Sequence, residues 1–495
     1  MQKLEKLDFT ISGKTIPPAS GEYFESYNPF SGKPWAMVGR GTAEDINHAV
    51  QTAKKAFLEG DWPKLTPTER GHLLRKLGDL VAENSERLAR LEVQENGKLI
   101  AEMRMQINYL PQWYYYFGGL ADKIEGCVLP IDKPEHFAYT LHEPLGVVGM
   151  ITAWNSPLLL LTWKLAPALA AGNTAVIKPS EFTSASSFEF AKLVHQAGFP
   201  PGVVNVVAGF GSEAGEALVT HPDIAKIAFT GGSETGINIY QKAAKGLKRV
   251  SLELGGKSPN IVFDDCNIEN AINGTISAIF AATGQTCIAG SRLLLQRSIH
   301  DEFVEKLIKL AKSARMGDPM SNDTQVGPVT TLPQMKKIIE YMEIGKNEGA
   351  DCLLGGVRAT RPECGTGWFV EPTIFTGVNN QMKIAQEEIF GPVLSVIPFD
   401  DDDEAIEIAN DNAYGLGAGV WTGSVARSIN IPKQIRSGTV WVNTYRAVSY
   451  MAPFGGYKKS GLGKENGQNA IHEYLQSKTV WVSTGGATQN PFIMR

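Results

Sequence analysis

Two doubly wound α/β units in series are what this chain encodes, and three features point there. Short apolar runs at 147–151, 175–177, 203–207 and 227–229 alternate with helix-length segments such as Ser184 to Ala197. A second series follows Glu253, with Ile261 to Phe263, a helix through Ile279, Leu293 to Leu295 and a helix from Ser298. Buried strands alternating with helices build parallel sheets covered on both faces. The length, 495 residues, exceeds what one core serves, so two or three domains are expected.

The elements follow in order. Thr42-Ala43-Glu44-Asp45 is a capped helix start, followed by Ile46, Ala49, Val50, Ala53 and Phe57 at helical spacing. Thr66-Pro67-Thr68-Glu69 starts another, with Pro at the first helical position and Glu three after the cap; Leu73, Leu74, Leu77, Leu80 and Val81 form its apolar face. The apolar run Leu158 to Leu161 is interrupted by Lys164 and Pro167, far short of the roughly 20 residues a membrane span needs, and reads as a buried turn into a helix. Asp400 to Glu404 is an acidic run leading into a helix, where negative charge favours the N-terminus; a metal site is the weaker alternative. Thr479 to Ser483 reads as a strand near the end, which needs a pairing partner. No repeat of solenoid period is present.

Composition narrows the function. An apolar content of 43% with 20% charged residues fits a soluble globular protein. A net charge of −5 argues against nucleic acid as the main partner, since a polyanion needs a basic face. The five cysteines, Cys127, Cys266, Cys287, Cys352 and Cys364, are odd in number and form no C-x-x-C pair. Reduced thiols in the cytoplasm are the simplest reading, with neither a disulfide scaffold nor a metal site. The start, Met1 to Lys6, is charged and shows no secretory or membrane signal.

Two residues carry the chemistry. Cys287 stands in Gly284-Gln285-Thr286-Cys287, and Glu253 in Leu252-Glu253-Leu254-Gly255-Gly256-Lys257. A thiol attacks carbonyl carbon, and a carboxylate activates water, so the pair suits aldehyde oxidation through a thioester. Taken singly, a small buried cysteine and a surface glutamate are equally good readings.

Seven motifs in one order decide between them. They are Ile151-Thr152-Ala153-Trp154-Asn155, Lys178-Pro179-Ser180-Glu181, Phe229-Thr230-Gly231-Gly232, the Glu253 motif, the Cys287 motif, Glu388-Ile389-Phe390-Gly391-Pro392 and Pro453-Phe454-Gly455-Gly456. Over nearly its whole length the chain resembles the NAD(P)-dependent aldehyde dehydrogenase superfamily. The resemblance implies an α/β fold with a Rossmann-like cofactor domain (1–125 and 144–252), a second α/β catalytic domain (253–460) and a small β oligomerisation arm (126–143 and 470–495). A homodimer or homotetramer is then expected.

The resemblance also assigns roles. Cys287 is the nucleophile and Glu253 the base, with Asn155 and the Cys287 N–H as oxyanion donors. Ile151, Thr152, Trp154, Lys178, Ser180, Glu181, Gly211, Phe229, Thr230, Gly231, Gly232, Leu254, Glu388 and Phe390 line the cofactor site. Phe229-Thr230-Gly231-Gly232 follows a strand and opens a helix, where free N–H groups favour a phosphate. Gly209 to Gly215 approaches the G-x-G-x-x-G fingerprint with one residue extra, and by itself reads as a tight turn. The family's serine at 232 is glycine here, leaving backbone donors only. Glu181 suits the ribose hydroxyls of NAD and repels the 2′-phosphate of NADP, so NAD is preferred. Gln334 and Lys337 carry no assignment and read as helix surface.

Trp163 and Phe454 are implied as tunnel walls. Ser156 and Val448 stand where many relatives carry larger aromatics, which widens the entrance, and Ala153 replaces a proline. Arg446, on a loop near the mouth, is suited to a substrate carboxylate, or is an ordinary surface or inter-subunit arginine. A dehydrogenase that passes its acyl group to coenzyme A, and a non-catalytic protein of the same fold, are the alternatives. Glu253 argues against the first, and the intact motif set against the second. Which aldehyde is oxidised is left open.

Overall fold

The structure is a computed structural model that describes residues 4–485 together with 490 and 492. Residues 1–3 of the charged start, and 486–489, 491 and 493–495 of the expected arm, lie outside the described residues.

The first sheet has eight strands. Its centre is five parallel strands in the order Arg249–Glu253, Ile224–Thr230, Val147–Ile151, Thr174–Lys178 and Val204–Val206. Antiparallel strands flank it, Gly461–Leu462 on one edge and the hairpin Phe9–Ile11 with Lys14–Ile16 on the other. Val147–Ile151 and Thr174–Lys178 are buried at every residue, as central parallel strands with helices on both faces must be.

The second sheet has seven strands, ordered Asp351–Leu354, Thr373–Thr376, Val393–Phe399, Arg292–Gln296, Pro259–Val262, Gly417–Trp421 and Thr439–Val442. All pairings are parallel except the edge strand Asp351–Leu354. A small sheet joins His136–Pro144 to Leu475–Ser483 in nine antiparallel pairs, with Val128–Leu129 beside them. It leaves Phe137, Leu141, Trp481 and Val482 exposed. A further three-stranded sheet near the N-terminus, Glu5–Leu7, Lys33–Gly39 and Tyr23–Asn28, has no counterpart in the sequence reading.

Local signals and structure agree where chemistry is local. Helices Ala43–Leu58 and Pro67–Glu83 open on capping boxes built from Thr42 with Asp45 and from Thr66 with Glu69. Asp401 caps helix Asp402–Asn410 by accepting from the Glu404 amide. Gly211–Gly215 is a single wide turn of π type leading into helix Glu216–Thr220, not the simple tight turn expected.

Helix Pro157–Ala170 is buried at every position but Leu159. That includes Lys164, whose ammonium donates to Glu465 at 2.5 Å with both side chains almost wholly buried. Removing one partner of such a pair strands a charge. Lys164→Met is therefore expected to cost about 3–5 kcal/mol in denaturant unfolding, and a companion Glu465→Leu change to recover most of it. A single variant as stable as the wild type would refute this.

Candidate active site

The thiol is placed by a strained turn. Helix Ile268–Phe280 delivers its C-terminal end, the negative end of its dipole, to the loop before Cys287. Ala282, Thr283 and Gly284 then take left-handed φ values of 52°, 54° and 69°. Strain of this kind needs surrounding structure to hold it. Gln285 supplies much of that hold. Its side chain accepts from Thr330 N at 2.9 Å and donates to Ala282 O at 3.3 Å, and its carbonyl accepts from Asn155 Nδ2 at 3.0 Å. Asn155 is thus tied to the cysteine loop through one N–H, with the second left over.

Two glycines fix how closely the loops approach. A Cβ on Gly256 would lie 2.4 Å from the Cys287 carbonyl oxygen, and one on Gly284 2.1 Å from that of Gly391. No other residue fits either place without moving backbone.

Glu253 ends strand Arg249–Glu253, and its carbonyl accepts from Gly231 N at 3.1 Å. The side chain is buried, and neither carboxylate oxygen has a hydrogen-bond partner. Burial first, then the negative charge of Glu465, push its carboxyl well above the ordinary range; Lys164 and Lys464 oppose this. Burial first, then Glu253 and Glu388, push the Cys287 thiol up to about 12, against the pull of the Cys287 and Ile288 amides. The free protein therefore holds Cys287 as a neutral thiol, whereas a nucleophile needs the thiolate.

A cavity of about 580 Å³ opens onto Cys287 and Asn155. Trp163, Phe454, Trp113 and Tyr109 give it an aromatic wall, with Trp163 and Phe454 rings 5.0 Å apart and Trp113 and Trp163 stacked at 6.3 Å. Val448 and Arg446 line it too, Arg446 donating to Ser277 O at 3.1 Å. Glu253 does not line this cavity, although its charge reaches the thiol. Ser156 does not simply widen the space: its hydroxyl accepts from the buried Lys98 at 2.6 Å, so a lysine occupies the room an aromatic would take.

The cofactor candidates cluster at the carboxyl ends of the first sheet, where α/β folds bind ligands. Ile151, Lys178, Gly211 and Phe229 line a cavity of about 370 Å³. Lys178 donates to Glu181 at 3.3 Å, and Glu181 faces an adjoining cavity of about 410 Å³. Ser180 shapes the turn, its hydroxyl accepting from Phe182 N and its carbonyl from Ser184 Oγ. The Thr152 and Thr230 hydroxyls are buried without partners. Gly232 is the N-cap of helix Ser233–Ala244 with no side-chain cap, and a Cβ there would meet nothing within 4 Å. Gly231 lies against the Phe229 ring, and Gly236 against Leu254, whose N–H donates to Ser460 O. Orphan hydroxyls, open glycines, a helix N-terminus and a lysine–glutamate pair fit a dinucleotide.

Glu388 accepts from Gly256 N at 3.0 Å, and Phe390, at φ 60°, meets Trp154 edge-on at 5.1 Å. Gln334 and Lys337 correct the expectation of mere helix surface. Gln334 donates to the Ile389 and Phe390 carbonyls at 2.8 and 3.0 Å, and Lys337 to the Glu388 carbonyl at 2.9 Å. They hold the loop that carries Glu388. The sequence also passed over Lys98, Glu102, Gln106 and Glu465. A lone lysine in the apolar helix 157–170 was the available signal for the buried Lys164 pair.

Similarity to known proteins runs over almost the whole chain. Residues 16–480 match the family model described as the aldehyde dehydrogenase family. The chain is 47% identical to (Z)-2-((N-methylformamido)methylene)-5-hydroxybutyrolactone dehydrogenase of Acinetobacter baylyi, over 99% of this chain and all of that protein. An NAD+ complex of aldehyde dehydrogenase from Bacillus cereus superposes with TM-score 0.95 at 44% identity, covering 97% of each chain. Betaine aldehyde dehydrogenase from Staphylococcus aureus, in complex with NAD+, gives 0.97 at 38% identity, covering 99% of this chain and 97% of that one. The chain belongs to the aldehyde dehydrogenase family.

The raised thiol has a direct consequence. Alkylation of Cys287 by iodoacetamide in the free protein is expected to climb about tenfold per pH unit through neutrality with no plateau below about pH 10, because the reactive thiolate grows with pH up to the pKa. Glu253→Gln removes the negative charge that builds on this neighbour as pH rises, and should speed alkylation most at the alkaline end. Peptide mass spectrometry reads both; a plateau near pH 7 would contradict the burial effect.

Proposed function

We propose that the protein oxidises an aldehyde to its carboxylic acid with NAD as acceptor, Cys287 carrying the acyl group and Glu253 activating the water that releases it. The observation that carries this reading is the junction at Gly256, which brings the thiol under the charge of a buried carboxylate with both oxygens free. Cys287 Sγ, once deprotonated, bonds to the aldehyde carbon. The oxygen takes negative charge there and meets the spare Asn155 N–H and the Cys287 amide. Bound NAD supplies the hydride acceptor. The thioester left on Cys287 is attacked by water that gives its proton to Glu253, and the thiol returns.

NAD is supported by the Lys178–Glu181 pair and by the two relatives named as NAD+ complexes. Thr152, Thr230 and the amides at 231–233 would hold the pyrophosphate, and Glu388 the nicotinamide ribose. Among the described residues no helix is long and apolar enough to cross a membrane, and a cytoplasmic enzyme is the reading we adopt. The exposed Phe137, Trp481 and Val482 on the paired arm support assembly as a homodimer or homotetramer.

For the substrate, Arg446 lines the cavity with most of its guanidinium donors free, which supports an aldehyde bearing a carboxylate. The Acinetobacter relative is named for a 5-hydroxybutyrolactone. A lactone of that type is the ring-closed form of an aldehyde acid, and this agrees with a polar tail.

Glu253→Gln is expected to give one burst of NADH and then stall, with an acyl adduct on Cys287 found by mass spectrometry. Steady turnover without an adduct would move the base elsewhere, and turnover that depends on added coenzyme A would favour the acylating alternative. For the cofactor, kcat/KM is expected to favour NAD over NADP by at least about tenfold, roughly 1.4 kcal/mol. Glu181→Ser should narrow that ratio; equal efficiency of both cofactors with the wild type would refute the ribose role.

A further inference from the structure

One wall of the cavity at Cys287 is polar, and the catalytic steps use none of it. Lys98 is 4% exposed, and its ammonium donates one of three N–H bonds to Ser156 Oγ at 2.6 Å. Ser156 Oγ in turn donates to Gln106 Oε1 at 3.3 Å, and Gln106 Nε2 is buried with no partner at all. Glu102 accepts from Ala282 N through Oε1 at 2.7 Å, and its Oε2 is also without a partner. With Arg446, the wall carries two cations and one anion. Glu92, the other carboxylate acting on Lys98, is not on the wall and accepts from Leu158 N.

A buried ammonium whose one hydrogen bond goes to a neutral hydroxyl is costly, as is a buried amide donor with no acceptor. An anion with several acceptor oxygens meets the Lys98 and Gln106 deficits together, and leaves the Glu102 Oε2 acceptor without a partner. Ser156 makes room for the Lys98 side chain, and space for the anion comes from the cavity that Lys98, Gln106 and Ser156 line. Lys98, Gln106, Arg446 and Cys287 line one cavity, so an anion held at this wall and a carbon at the thiol share the same space.

We propose that Lys98, assisted by the Gln106 amide, determines specificity by binding the terminal carboxylate of a short aldehyde acid and so presents its aldehyde carbon to Cys287. This deepens the proposed aldehyde oxidation and rests on it. A cationic tail would meet Lys98 and Arg446 and is disfavoured. No bond is made or broken at Lys98; its part is binding and orientation.

The test is kcat/KM for succinic semialdehyde, glutaric semialdehyde, butanal, pentanal and betaine aldehyde, with the wild type, Lys98→Met and Gln106→Leu. The wild type is expected to prefer a semialdehyde to the alkanal of equal chain length by at least about tenfold, the scale of a charge-assisted hydrogen bond. Lys98→Met should cut that preference at least about fivefold through KM, Arg446 keeping the remainder, while alkanal turnover stays within about threefold of wild type, a split that a merely structural lysine would not give. Gln106→Leu should lower the preference less, and it carries the test if Lys98→Met does not fold. An unchanged preference in the folded variants, or a wild type that favours betaine aldehyde, overturns the proposal. NADH from the alkanals with no preference for a semialdehyde overturns this inference alone. No NADH from any aldehyde removes the underlying oxidation reading as well.

Discussion

Where the two large sheets meet, the α-carbon of Gly256 lies so close to the Cys287 carbonyl that a single added carbon would come within 2.4 Å of its oxygen. The rest of the site depends on this approach. Gly256 follows the strand that ends in Glu253, and its N–H is held by Glu388. One contact therefore links the segments that supply the thiol, the buried carboxylate and the Glu388 loop. Asn155 joins the same assembly from the first sheet through Gln285. Precision comes from backbone packing, which shifts less than side chains do.

The same packing sets the electrostatics. Cys287 and Glu253 are both driven toward their neutral forms, chiefly by burial and then by neighbouring negative charge. Burial disfavours the charged form of each group. Each group must therefore lose a proton before it can serve as nucleophile or base. Lys164, Lys464 and the Cys287 and Ile288 amides already pull the other way.

Much of the fold was legible in the sequence. The capping boxes at Thr42 and Thr66 and the apolar runs of the parallel strands are local signals, and the structure follows them. Motif order brought Cys287, Asn155 and Trp163 to one cavity. What escaped was long-range pairing. Gln334 and Lys337 stand at ordinary helical positions, and only their partners across 51 to 56 residues of chain show what they hold. Ser156 suggested empty space because a small residue says nothing of what moves in beside it. Lys98 fills that space from 58 residues away. The N-terminal sheet of Glu5–Leu7, Tyr23–Asn28 and Lys33–Gly39 was missed because its short strands alternate too little to show a period.

The most direct test of the role of Cys287 is single-turnover NADH formation by Cys287→Ala, with NAD binding followed in parallel by fluorescence. If the thiol carries the substrate through oxidation, NADH should vanish, a loss of several orders of magnitude of the kind typical for removing a nucleophile, while NAD binds as in the wild type. An NADH burst of wild-type size in that variant would contradict the assignment.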